Sequence, residues 1–206
     1  MTVRFHHNDL PADPALGGSV AIDTETLGLV VGRDRLCLVQ LSRGDGTADI
    51  VRIAAGQSRA PNLEKLLADP AVLKLFHYGR FDMGVLSHTF GVMAGPVYCT
   101  KIASKIARTY TDRHGLKDLT RELLGVDLSK QQQSSDWGAE TLSEAQLAYA
   151  ASDVLHLHAL REKLDAMLAR EGRIELARAA FAYLPERVRL DLAGFEAMDV
   201  FSHEYP

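Results

Sequence analysis

The feature that most constrains this chain is the run Val20-Ala21-Ile22-Asp23-Thr24-Glu25-Thr26, an apolar stretch that ends in two carboxylates spaced i and i+2. Side chains on a strand alternate between faces, so this spacing sends Asp23 and Glu25 to the same face. A buried strand that delivers two acids to one spot needs a positive charge there, and divalent cations with oxygen ligands are the usual supply. The plain alternative is a strand end that frays into a polar turn with both acids in water. The choice depends on whether further acids reach the same place from other elements.

At 206 residues, 47% apolar and 24% charged, the chain has the length and composition of an ordinary soluble globular protein with a sizeable core. It reads as a single domain, with a core over about 19–170 and a helical extension over about 171–206. No apolar run approaches the roughly 18 residues of a membrane span. The start, Met1-Thr2-Val3-Arg4-Phe5-His6-His7, lacks the apolar core of a signal peptide. Cys37 and Cys99 sit in strand-like apolar runs and read as reduced core residues of a cytoplasmic protein. The net charge of −4 argues against a protein that grips long nucleic acid by its phosphates, which is usually basic. A nucleic-acid substrate is therefore expected to be held locally or to be short.

Strands are expected at 19–23, 36–41 and 48–53, joined as a meander through the turn residues Gly44-Asp45-Gly46. A short amphipathic helix over 62–68 precedes a fourth strand at 72–76, a helix over 81–90 and a fifth strand at 97–99. The rest reads as helical: 100–110, then 116–124 closed by Gly125, then a long helix from the Ser143-Glu144-Ala145-Gln146 capping box toward Arg170. Gly172 interrupts, and 174–183 continues before Pro185. The order predicts an α/β fold with a mixed five-stranded sheet flanked by helices and a helical C-terminal part. The aromatic tail over 195–206, with Phe195, Met198, Phe201 and Tyr205, is expected to pack on the body or on a neighbouring subunit.

Two more acid clusters meet the opening requirement. Asp82, in His77-Tyr78-Gly79-Arg80-Phe81-Asp82, falls in the first turn of a helix, where a carboxylate is favoured by the dipole even without a ligand role. Tyr149 and Asp153 stand i and i+4 on one helix face, and that face continues through His156, Leu160, Leu164 and Met167. An Asp heading a core-facing stripe is costly unless it is paired or binds metal. Four acids from three elements, Asp23, Glu25, Asp82 and Asp153, suit a site with two divalent ions, magnesium or manganese, roughly 3.5–4 Å apart. Tyr149, whose ordinary pKa is about 10, suits the orientation of an attacking water better than its deprotonation.

These segments resemble the three exonuclease motifs of the DEDD superfamily, in the variant with tyrosine. Gly115-Leu116-Lys117-Asp118-Leu119, Gly125-Val126-Asp127-Leu128 and Lys130-Gln131-Gln132-Gln133-Ser134-Ser135-Asp136-Trp137 look like the ribonuclease D branch, and the resemblance covers about 20–163. It implies a ribonuclease H-like exonuclease fold and metal-dependent 3′-to-5′ hydrolysis to nucleoside 5′-monophosphates. It also implies Asp23, Glu25, Asp82 and Asp153 as metal ligands, Tyr149 as the catalytic water-orienting tyrosine, and Leu29 as a wedge between terminal bases. Full-length ribonuclease D carries helical nucleic-acid-binding domains after the catalytic one, and this chain stops too soon to contain them. It is most similar in plan to the compact nanoRNase C group, which finishes very short RNA, down to dinucleotides. A homo-oligomer, with a ring of eight as one form, is a further implication.

Lys101, Ser104, Lys105 and Arg108 fall on one helix face, which is either a solvated basic surface or a pocket for the 5′ phosphate of a short substrate. His77 reads as a phosphate contact or as a buried supporting residue, and Trp137 as a base-stacking platform or as packing. His156 and His158 point apart. The expected partner is short single-stranded RNA. A 3′-5′ DNA exonuclease or a general RNA-trimming exonuclease would use the same site. From another class, a catalytically silent nucleic-acid-binding subunit is the alternative, which the presence of all four acids disfavours.

Overall fold

The computed structural model describes residues 2–12, 18–129 and 131–203. Six strands form one mixed sheet: β1 (Thr2–His7), β2 (Ser19–Thr26), β3 (Leu36–Ser42), β4 (Thr47–Arg52), β5 (Leu73–Phe76) and β6 (Val97–Cys99). Their order is β1-β4-β3-β2-β5-β6. β2, β3 and β4 make the antiparallel meander, β5 runs parallel to both β2 and β6, and β1 runs parallel to β4. β3 is buried along its whole length, which explains why it reads as an unbroken apolar run.

All five expected strands are present, and β1 is the addition. Its sequence offers only Val3 and Phe5 as apolar residues, so no burial pattern announces it. The backbone pairing with the open edge of β4 forms it, together with two side chains that close on Asp49. Arg4 donates to that carboxylate from Nε at 2.8 Å and Nη2 at 2.7 Å, and His6 Nε2 lies 2.7 Å away. A polar, charged edge also keeps the sheet from pairing onward.

The helices are α1 (Pro61–Ala68), α2 (Gly79–Phe90), α3 (Thr100–Ala107), α4 (Leu116–Leu124), α5 (Glu144–Leu155), α6 (Leu157–Arg170) and α7 (Ile174–Leu190). α5 lies over β2, β3 and β4, while α2 packs against β2, β3, β5 and α7. The capping box at Ser143 is formed, the Ser143 hydroxyl accepting from Gln146 N–H at 3.2 Å and Gln146 Oε1 accepting from Ser143 N–H at 2.9 Å. Gly125 closes α4 in the left-handed conformation, φ 69°, as its position predicts.

Three helix expectations are corrected. The long helix toward Arg170 is two helices joined at His156 (φ −103°, ψ −5°). The first half serves the sheet, and the second packs on α3, α4 and β5. One straight rod cannot face both sets of neighbours. The buried stripe of α6 is Leu157, Leu160, Leu164 and Leu168, with His156 and Met167 only partly covered. α3 ends at Ala107, because Arg108 (φ −110°, ψ 63°) turns inward.

α7 continues through Pro185 to Leu190 and ends in one wide turn, Asp191–Phe195. An interior proline costs about 3 kcal/mol. Burial of Phe181, Leu184 and Val188 on the same face offsets it, at about 1.5–3 kcal/mol for each large side chain. Beyond α7 the backbone is fastened rather than the side chains. Arg80 and Arg187 both pair with Asp191 and donate to the carbonyls of Phe195, Glu196 and Met198. Phe195, Met198 and Phe201 remain exposed, and Phe201 meets the Tyr183 ring at 5.6 Å. Tyr205 and Lys130 lie outside the described residues. Cys37 and Cys99 are free and buried. Among the described residues, no helix is long and apolar enough to cross a membrane.

Candidate active site

The C-terminal half of β2 sorts its side chains by alternation. Asp23 and Glu25 turn toward α5, where each offers a carboxylate oxygen within 4.8 Å of the other and of Asp153. Thr24 turns the opposite way and donates from its hydroxyl to Asp82 Oδ1 at 2.7 Å, tying the first turn of α2 to the strand. α2 can start immediately after β5 because position 79 is glycine: a Cβ there would stand 2.7 Å from Phe76 Cβ. Asp82 is buried at the N-terminus of that helix.

Burial raises the pKa of all four acids, and neighbouring carboxylates raise those of Asp23, Glu25 and Asp153 further. Burial pushes Asp23 well above the ordinary carboxylate range, and the charges of Asp82, Asp153 and Glu25 push it further. Glu25 is pushed up to about 9 by burial, then by Asp153 and Asp82. Burial lifts Asp82 to about 7 against the hydrogen bonds from Thr24. Asp153 also reaches about 7, raised by burial and by Asp82 while the Tyr149 hydroxyl holds it down. Every charge acting on Asp23, Glu25 and Asp153 is another carboxylate. Buried negative charge without a counter-charge, displayed as hard oxygen donors, fits a divalent cation.

Burial and the surrounding acids raise the Tyr149 phenol well above its ordinary value, so it stays protonated and donates to Asp153. Trp137 is buried against it, ring centroids 5.9 Å apart and planes at 32°. Of the two readings of Trp137, this is packing. Leu29 is 82% exposed at the tip of the loop after β2, flanked by the exposed Leu27 and Val30. The loop is held tight: Thr26 Oγ1 donates to the Gly28 carbonyl at 2.5 Å, and Asp34 accepts from Val30 N–H at 3.0 Å. A Cβ at Gly28 would meet Asp34 Oδ2 at 2.3 Å.

The basic set divides. His77 Nδ1 lies 2.9 Å from Thr100 Oγ1, and burial together with Lys101 lowers its pKa to about 3, so the ring is neutral. Lys101 Nζ sits 4.0 Å over the ring of Tyr78, which is exposed because its left-handed backbone (φ 67°) turns it outward. Lys105 is exposed. Ser104 and Arg108, by contrast, are wholly buried. The Ser104 hydroxyl is 2.8 Å from His114 Nδ1 and accepts from Arg108 Nη1 at 3.1 Å. Arg108 also donates to the Arg113 carbonyl at 2.8 Å, to the Tyr110 hydroxyl at 3.3 Å and to Glu122. The structure thus brings the four acids and Tyr149 together and gives Ser104 and Arg108 internal partners. Sequence reasoning missed Thr24 and Tyr78. Alternation about Asp23 and Glu25 carried the signal for Thr24, while the backbone twist at Tyr78 carried none.

Residues 6–169 match the model of a family described as 3′-5′ exonuclease. The chain belongs to the 3′-5′ exonuclease family. Within that family it resembles ribonuclease D of Gluconacetobacter diazotrophicus, 38% identical over 167 residues that make up 81% of this chain and 42% of the relative. The chain therefore spans less than half the length of that exonuclease. Two solved structures match it end to end. Brucella melitensis NrnC with bound Mg2+ is 59% identical with a TM-score of 0.96, covering 99% of this chain and 100% of that one. Brucella melitensis NrnC bound to pGG is 60% identical, with the same TM-score and coverage. The mixed sheet with flanking helices is the ribonuclease H-like fold of these exonucleases.

Proposed function

We propose that this chain is a 3′-to-5′ exoribonuclease that hydrolyses short RNA, down to dinucleotides, to nucleoside 5′-monophosphates with two divalent ions, Mg2+ or Mn2+. The observation that carries the reading is the gathering of the half-buried Asp23, Glu25 and Asp153, with the buried Asp82 adding its charge to theirs and every charge acting on them another carboxylate. The pGG-bound NrnC supports the short substrate, and the Mg2+-bound NrnC supports the ion.

The four carboxylates hold the ions, which supply neutralisation of the scissile phosphate and of the attacking and leaving oxygens. Tyr149, protonated and anchored on Asp153, orients the attacking water. Trp137 keeps the phenol from swinging away. Leu29 wedges between the last two bases, and His77, neutral, and the lysines Lys101 and Lys105 stand toward the phosphates. The 5′-phosphate reading of Ser104 and Arg108 requires them to release His114 and Glu122. The free, buried cysteines suit the cytoplasm. A homo-oligomer, with a ring of eight as one form, has an apolar surface available in Leu192, Phe195, Met198, Val200 and Phe201.

The test is product analysis on 5′-labelled RNAs of two, five and twenty nucleotides, with Mg2+ and then with EDTA, beside DNA of the same lengths. Fast loss of the ribodinucleotide is the expected result. Stepwise trimming of the twenty-mer at the same rate replaces it with a general trimming enzyme, and equal loss of DNA removes the preference for RNA.

A further inference from the structure

Gln40 is a lone amide in the apolar run of β3, fully buried, and neither its Nε2 nor its Oε1 has a hydrogen-bond partner among the described residues. A buried primary amide left unpaired costs free energy that a core does not normally tolerate, so such a group calls for a reason. The β2–β3 register supplies one. Gln40 is the direct cross-strand partner of Asp23, and directly paired residues of an antiparallel ladder project on the same face. Its partner on the other side is Ile50, which has no polar side-chain atom. The residues of α5 buried on this sheet are Ala150, Ala151 and Val154, equally apolar. Arg52, the diagonal neighbour on β4, is engaged by the carbonyls of Ala139 and Glu140. Among its direct and diagonal cross-strand neighbours on β2 and β4, the polar groups left are the acids Asp23 and, diagonally, Glu25.

We propose that Gln40 is a positioning residue for the acid cluster: its amide hydrogen-bonds the Asp23 carboxylate through one ordered water and so sets that carboxylate for its cation. A buried water commonly satisfies about three such groups, and the Gln40 amide and the Asp23 carboxylate project from directly paired positions on one face. The carboxylate of Asp23, crowded by three other acids, is the group most in need of a fixed donor. This inference rests on the metal-dependent reading above.

The test uses Gln40→Met and Gln40→Leu in the full chain. Far-UV circular dichroism and thermal melting come first. Both variants should fold and melt within a few degrees of the wild type, since the amide has no direct protein partner and is replaced by apolar atoms of similar length. Mn2+ is then titrated into metal-free protein with the free ion read by electron paramagnetic resonance, and hydrolysis of a ribodinucleotide is measured alongside. The expected result is about tenfold weaker Mn2+ binding and a similar fall in kcat, with KM within about twofold, the size of effect that outer partners of metal ligands exert. Wild-type Mn2+ affinity and turnover in both variants overturns the proposal. Loss of the fold in both also overturns it, because the amide is then part of the core. Wild-type protein that binds no Mn2+ instead brings down the metal-dependent reading itself.

Discussion

Arg108 and Asp23 are both ionisable groups drawn away from bulk water, and the chain treats them differently. Arg108 has the Ser104 hydroxyl, the Arg113 carbonyl, the Tyr110 hydroxyl and the Glu122 carboxylate around it, so its charge and most of its donors are matched from within. Asp23 has three more carboxylates for company. A buried charge that the chain neutralises itself is part of the architecture, and one that it leaves unneutralised is a place where something else must bind. Both clusters come from sequence patterns of the same kind, charges at strand or helix spacing, and only the partners separate them.

The sharpest way to break this contrast is to remove one acid. Asp153→Ala is expected to lower hydrolysis by well over the roughly 100-fold that outer partners of metal ligands cost, with the far-UV spectrum unchanged. Activity near wild type would sink the metal-site assignment. Next in size, Tyr149→Phe keeps the ring on Trp137 and deletes only the hydroxyl. Steady-state kinetics should show kcat down by about 100-fold with KM nearly unchanged, and a KM effect alone would make the hydroxyl a binding group.

Arg108 tests the other side. Arg108→Ala leaves the Ser104 hydroxyl and the Arg113 carbonyl without their donor, and should lower unfolding stability by about 1–3 kcal/mol in urea while the folded fraction keeps its turnover. A raised KM for 5′-phosphorylated dinucleotide at unchanged stability is the opposite outcome, and it would restore Arg108 to the phosphate pocket. The acids make a pH prediction as well. Glu25 holds its proton up to about 9 in the folded state and releases it near 4.5 when unfolded, and Asp82 and Asp153 do the same up to about 7 against 3.8. With these groups the folded state binds more protons, so their contribution to metal-free stability falls as pH rises from about 4 through 9. The gain in melting temperature on adding Mg2+ should therefore be larger at pH 8 than at pH 5, and a gain independent of pH contradicts the crowding of the acids. The smallest effect is reserved for Leu29→Ala. It should leave the melting temperature alone, because Leu29 is exposed, and raise KM for a dinucleotide by about tenfold, equivalent to about 1.4 kcal/mol of apolar contact.

Much of the architecture was legible. β3 could be read because it is apolar throughout, and α4 and α5 because Gly125 and the Ser143 capping box mark their ends. β1 was not legible, since its energy lies in backbone pairing and in Asp49, 45 residues from Arg4. Nor was the break at His156, which answers to two different sets of neighbours rather than to a breaker residue. At the site, the spacing Asp23-Thr24-Glu25 and the i, i+4 pair Tyr149 and Asp153 displayed their shared faces directly. Ser104 and Arg108 looked equally well placed, and periodicity could say which face they share but not that this face turns inward.

By itself, then, the sequence determined which residue types arrive on which faces: two acids from one strand, one from a helix start, an acid and a phenol from a helix face. These follow from the periods of strand and helix, which are local. Only the tertiary structure decided which charges find partners, that Trp137 lies under Tyr149 and that Gln40 stands unpaired beside Asp23. Burial and pairing depend on residues far apart in the chain, and no local period encodes them.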